Sequence, residues 1–109
     1  MYVTLVIPMV EYFVYILRCS DGSYYTGVTN NWELRVSQHK GGSDPTCYTF
    51  RRRPLECVYV ASFPEVFDAI AFEKQVKRWS RKKKETFIRG EYEKLPALAK
   101  KKFNQCMSP

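Results

Sequence analysis

The feature that most constrains this chain is a pair of short apolar runs separated by a tight turn signal. Residues 12–19 are apolar at positions of both parities, and residues 24–28 form a second run rich in tyrosine. Ser20-Asp21-Gly22 lies between them. A short run with no polar face reads as a strand buried on both sides, hence a central one. The turn then returns the chain as its antiparallel neighbour.

Turn length decides which side chains share a face. A two-residue Asp21-Gly22 loop pairs Ser20 with Ser23, sets Tyr15 opposite Val28 and turns Tyr25 to the other side of the sheet. A three-residue Ser20-Asp21-Gly22 loop, with Gly22 left-handed in a bulge, pairs Cys19 with Ser23. Tyr15 then lies opposite Gly27, and Tyr25 lies opposite Leu17 on the same face. We expect the three-residue loop, in which Gly27 leaves space beside the Tyr15 ring for a substrate backbone. Two strand tyrosines that only pack on the sheet are the plainer alternative.

Further along, Asn30-Asn31-Trp32-Glu33 resembles a capping box with asparagine as the cap, opening a helix that stops at Gly41-Gly42. Residues 41–54 form a loop carrying Tyr48-Thr49 and Arg51-Arg52-Arg53. Residues 55–61 read as a third strand. Ser62-Phe63-Pro64-Glu65 is a second capping-box pattern with proline in the first turn, and its helix is expected to reach about Trp79. Ser80 caps a basic helix to Arg89, stopped by Gly90, and a last helix is expected over residues 93–103. This order predicts an α+β architecture, a small three-stranded, mostly antiparallel sheet flanked by helices. The 109 residues hold one domain, placed at 12–90 between an N-terminal extension (1–11) and a helical tail (91–109).

Three polar residues stand at informative places on the helices. Arg35 and His39 are one turn apart and face the same way. With Val36 and Trp32 as a buried stripe, His39 falls inside it and Arg35 on its flank. Such a pair can bind and polarise a phosphate; a solvated arginine and a hydrogen-bonded histidine at a helix end are the alternative. Glu73 points into the arc between Ile70 and Val76. A carboxylate there needs a partner, because burying it unpaired costs several kcal/mol. A divalent cation would serve, and so would an exposed pair with Lys77 one turn on.

The net charge of +7 and pI of about 9.3 favour a polyanionic partner. Lys74, Lys77, Arg78, Arg81, Lys82, Lys83 and Lys84 place seven basic residues within eleven positions. With Arg52 and Arg53 they would track a phosphate backbone, while Trp79, Tyr48 or Phe50 stacks on an unpaired base; a solvated charged face and a core Trp79 are the plainer alternatives. No helix joins a clean apolar face to this basic one, so nucleic acid is expected rather than a membrane. The four cysteines show no metal-ligand spacing and read as free thiols of a cytoplasmic protein. Residues 1–10 are apolar but too short to span a bilayer.

Taken together, Phe13-Val14-Tyr15, Tyr25-Thr26-Gly27, Arg35, His39 and Glu73 resemble the motifs of the GIY-YIG nuclease superfamily. The segments Tyr48-Thr49, Arg52-Arg53-Pro54 and residues 79–84 resemble its small stand-alone, single-domain branch. The resemblance implies one site in which a tyrosine, Tyr15 or Tyr25, is general base for water. Arg35 would stabilise the phosphate, with His39 beside it, and Glu73 would hold one Mg²⁺ or Mn²⁺ ion. Phe13 stands where the first motif has glycine, and Thr26 where the second has isoleucine. A metal-dependent endonuclease is therefore expected, acting on branched or single-stranded DNA, with RNA as the alternative polymer. Selectivity would come from this domain or from a partner protein. A non-catalytic nucleic-acid binding module on the same scaffold is the second expectation, and a protein-docking adaptor the third.

Overall fold

The computed structural model describes residues 11–90; the segment 1–10 and the helix expected at 93–103 lie outside the described residues. The elements are β1 (Tyr12–Arg18), β2 (Tyr24–Thr29), α1 (Trp32–Gly41), β3 (Glu56–Phe63), α2 (Val66–Lys77) and α3 (Arg81–Ile88), with a short 3₁₀ turn at Phe50–Arg52. The strand order is β2-β1-β3, and β1 pairs antiparallel with both neighbours. The architecture is α+β, and β1 is the central strand that its two apolar faces imply.

The hairpin takes the three-residue loop. Cys19 N–H donates to Ser23 O at 2.8 Å, Gly22 N–H donates to Cys19 O at 2.9 Å, and Gly22 has φ 83°. Asp21 braces the turn by accepting from the Ser23 N–H and hydroxyl. Tyr15 consequently pairs with Gly27 and Leu17 with Tyr25. Alternation along β1 then divides the core in two. Val14 and Ile16 meet Ala61, Phe63, Ala69, Phe72, Val76, Trp79 and Phe87 on the α2–α3 side. Tyr15 and Leu17 meet Cys19, Val36 and Leu55 on the α1 side. Phe72, fully buried and ringed by Phe63, Trp79 and Phe87, anchors the first cluster; truncating it to alanine would cost about 3–5 kcal/mol.

Three local expectations are corrected. The α1 cap is Asn31, which accepts from Leu34 N–H; Glu33 is thus second in the helix and Leu34 third, so the expected capping box does not form. The third strand extends to Phe63, and Ser62 and Phe63 pair with Phe13 and Tyr12. The expected second capping box therefore does not form, and Glu65 occupies the cap without a side-chain hydrogen bond. Burial of Phe63 in the core outweighs a local cap worth about 1 kcal/mol. The helix ends at Lys77, short of Trp79. Ser80 caps α3 as expected, accepting from Lys83 N–H.

Candidate active site

The site grows from the face of the hairpin that α1 covers. Tyr15 is 1% exposed, and its ring occupies the room left by Gly27, where a Cβ would collide with the phenol. The glycine thus admits the tyrosine itself rather than a substrate backbone. Val36 directs α1 onto the sheet, and His39, nearly one turn further, follows it inward to 4% exposure. Its Nε2 lies 2.9 Å from the Tyr15 hydroxyl.

Gly42, left-handed at φ 68°, ends α1 and turns the loop back beneath His39. That return brings Thr49 Oγ1 to 2.8 Å from His39 Nδ1, with Cys47 Sγ 3.7 Å from the same nitrogen. Tyr25 closes the group, its ring 5.1 Å from His39 and 6.4 Å from Tyr15. Tyr48, exposed, stacks on Tyr25 at 6.1 Å.

Electrostatics separate the roles of these groups. Burial pushes the Tyr15 phenol up to about 12, with Tyr25 adding to the rise and the Arg35 guanidinium opposing it. Tyr25 is also raised, by burial first and then by Cys47, with Arg35 and Lys77 acting the other way. His39 is lowered, by burial first and then by Arg35, so the imidazole is neutral at pH 7. Arg35 bonds Gln38 Oε1 at 3.3 Å.

Glu73 approaches from the other layer, across the β2 edge, where its charge and that of Lys77 act on Tyr25. Its side chain is 12% exposed and its Oε2 accepts from Lys77 Nζ at 2.7 Å. The expected i,i+4 pair therefore forms, but around a carboxylate drawn into the core side. Among the described residues no cluster of three His, Cys, Asp or Glu could hold a metal ion. The donor set is one carboxylate whose paired ammonium is half exposed, which suits a hydrated cation that keeps most of its waters.

The basic residues divide into two groups. Lys77 and Lys84 line an open depression of about 380 Å³ with Tyr24, Tyr25, Thr26 and Tyr48, and burial lowers the Lys84 ammonium. Lys74 and Arg78, at the end of α2, and Lys82, at the start of α3, are exposed. The others are engaged within the fold. Arg52 binds Asp21 at 3.1 Å and Tyr48 O at 2.8 Å, with its guanidinium over the Tyr48 ring. Arg53 covers Phe50, Arg81 pairs with Glu85, and Lys83 sits over Trp79. Trp79 is 8% exposed and belongs to the core, so it offers no face to a base. Thr49 and Cys47 are the site neighbours that sequence reasoning did not assign; they lie in a loop with no periodicity to mark them, and Tyr48-Thr49 stood out only as a segment.

Residues 11–86 match the family model described as the GIY-YIG catalytic domain, and the chain belongs to this nuclease family. The UPF0213 protein BH0048 of Halalkalibacterium halodurans is 38% identical over 92 residues, covering 82% of this chain and 97% of that protein. The UPF0213 protein YazA of Bacillus subtilis is 38% identical over 78 residues, covering 72% of this chain and 78% of that protein. The solution structure of EF2693 from E. faecalis superposes with a TM-score of 0.54 at 28% identity, covering 79% of this chain and 91% of that one. A nuclease domain implies a nucleic-acid substrate. No helix among the described residues is long and apolar enough to cross a membrane.

Proposed function

We propose that this protein is a divalent-metal-dependent endonuclease that hydrolyses DNA phosphodiesters, with branched or single-stranded DNA as its substrates. The observation that carries the reading is the convergence of Tyr15, Tyr25 and His39, with Arg35 acting on both tyrosines and Glu73 on Tyr25.

A phenol at about 12 is ionised too rarely near pH 7 to serve alone, a deficit of roughly 7 kcal/mol. The neutral imidazole removes that difficulty. As water attacks phosphorus, Tyr15 takes its proton and passes its own hydroxyl proton to His39 Nε2. Arg35 holds the phosphoryl oxygens as charge develops on them. Glu73 would hold Mg²⁺ or Mn²⁺, which when bound supplies positive charge to the phosphate and the leaving oxygen. Lys77 and Lys84 would bind the strand backbone along the depression that Tyr25 and Tyr48 line.

The ion pair between Glu73 and Lys77 favours one second reading, a nucleic-acid binding module whose site no longer takes a metal. Cleavage of labelled single-stranded, duplex, flap and junction DNAs with Mg²⁺, Mn²⁺ or EDTA separates the two. Metal-dependent cutting supports the nuclease; salt-sensitive binding without cutting in any metal supports the module.

A further inference from the structure

We propose that Thr49 is a positioning residue: it holds the chain's one histidine in the tautomer that carries its proton on Nδ1 and turns a bare Nε2 toward the Tyr15 hydroxyl. The inference rests on the proposed role of Tyr15 for its catalytic meaning, but on hydrogen-bond accounting for its substance.

Tyr15, His39 and Thr49 are 1%, 4% and 1% exposed, so in the free protein bulk solvent does not satisfy them and each proton needs a partner inside the fold. The charged neighbour of the Tyr15 phenol is Arg35, and a guanidinium has donors only. Among the described residues, His39 Nε2 is the group that bonds the phenol at 2.9 Å and is able to accept from it. A bare Nε2 on a neutral ring requires the hydrogen on Nδ1, which then donates to Thr49 Oγ1 at 2.8 Å. Thr49 in turn can release its own hydroxyl proton toward Cys47 Sγ, 3.5 Å away. The donors of Tyr15, His39 and Thr49 then each point at an acceptor, and the chain ends on Cys47 Sγ.

The reverse arrangement fails the same accounting. A hydrogen on Nε2 would donate to the phenol oxygen and leave the Tyr15 proton facing arginine, buried and unpartnered, at a cost of about 1–3 kcal/mol. Cys47 Sγ near Nδ1 does not restore it, because a thiol is the weaker partner in either direction. A doubly protonated ring is disfavoured by burial and by Arg35. Thr49 therefore decides whether His39 can take a proton from Tyr15 at all, although it touches neither substrate nor the reacting atoms. The consequence parallels other sites in which a buried group fixes a catalytic imidazole.

The test uses nitrogen-15 NMR of the full-length protein at pH 7.5, where one histidine gives one unambiguous ring spectrum. We expect wild type to show a protonated Nδ1 and an unprotonated Nε2. Thr49→Val, nearly the same shape without the acceptor, should shift the ring toward protonated Nε2, and Thr49→Ser should restore the wild-type pattern. Cleavage should follow, with kcat reduced about 10-fold or more in Thr49→Val, recovered in Thr49→Ser, and KM little changed. Wild type with its proton on Nε2, or Thr49→Val with an unchanged tautomer, overturns the proposal. If Thr49→Val fails to fold, the wild-type spectrum and Thr49→Ser still decide it. If wild type cuts no DNA, the nuclease reading fails while the tautomer measurement stands on its own.

Discussion

The Tyr15 hydroxyl and His39 Nε2 lie 2.9 Å apart although 24 residues separate them in the chain. This single bond joins the central strand to α1. It depends on three features: a three-residue hairpin loop, a glycine opposite Tyr15, and a helix whose buried stripe carries a histidine. Each can be altered by itself.

Gly27→Ala is expected to be damaging well beyond its size. The added methyl meets the Tyr15 phenol, and Tyr15 has nowhere to go because His39 and Tyr25 crowd it. Overpacking of this kind costs about 1–3 kcal/mol, and the ring must tilt away from His39. Chemical denaturation should show the loss, and cleavage should fall further than stability alone explains. A fully active, equally stable variant would mean that the ring packing is not tight.

Stability should depend on His39 with a definite sign. The folded state holds the imidazole below its ordinary value of 6.5, so the unfolded chain takes up the proton first. Stability is then unaffected by His39 above that pH and declines as pH falls below it, until the folded value is reached. His39→Gln should flatten the slope between about pH 7 and pH 5.5 in denaturant titrations. Asp21 and Asp44, whose carboxyls are lowered by hydrogen bonds from Ser23 and Thr46, act at more acidic pH and leave this window clear. An equal slope in the variant would remove His39 as its source.

Much of this arrangement was legible in the chain itself, because it follows from periods and turn lengths. Counting residues through Ser20-Asp21-Gly22 places Tyr15 and Tyr25 on one face, and the observed register agrees. The helical step from Val36 finds the buried position of His39, and that from Ile70 the inward position of Glu73. What local rules misplace is decided by tertiary contacts. Ser62 and Phe63 look like the start of a helix, yet pairing with β1 and burial of Phe63 keep them extended. Thr49 is hidden most thoroughly: its partner lies ten residues away in the chain, across a loop whose path only the fold defines.

Lys77 and a divalent ion should compete for Glu73. The ammonium occupies the carboxylate at 2.7 Å, so Lys77→Ala is expected to bind Mn²⁺ more tightly than wild type, by about 2–10-fold. Glu73→Ala should bind it more weakly than either. Calorimetric titration with Mn²⁺ ranks the three proteins. Equal affinity in all three would place the ion elsewhere.

The basic side chains at the end of α2 and along α3 should set affinity and not chemistry. Replacing Arg78, Lys82 and Lys84 together by glutamine should weaken DNA binding about uniformly across sequences. The slope of log affinity against log salt should shrink by about one for each phosphate that the protein no longer neutralises. Arg52→Gln, by comparison, should lower stability through Asp21 and Tyr48 with a smaller effect on that slope. Fluorescence anisotropy over a salt series separates the two outcomes.

The central claim is that Tyr15 moves a proton during phosphodiester hydrolysis. Single-turnover cleavage of a flap DNA with Mn²⁺, by wild type and Tyr15→Phe at saturating protein, tests it most directly, with binding measured alongside in EDTA. The account predicts a rate at least about 100-fold lower in the phenylalanine variant, with DNA affinity unchanged. Cleavage by Tyr15→Phe at the wild-type rate would contradict it.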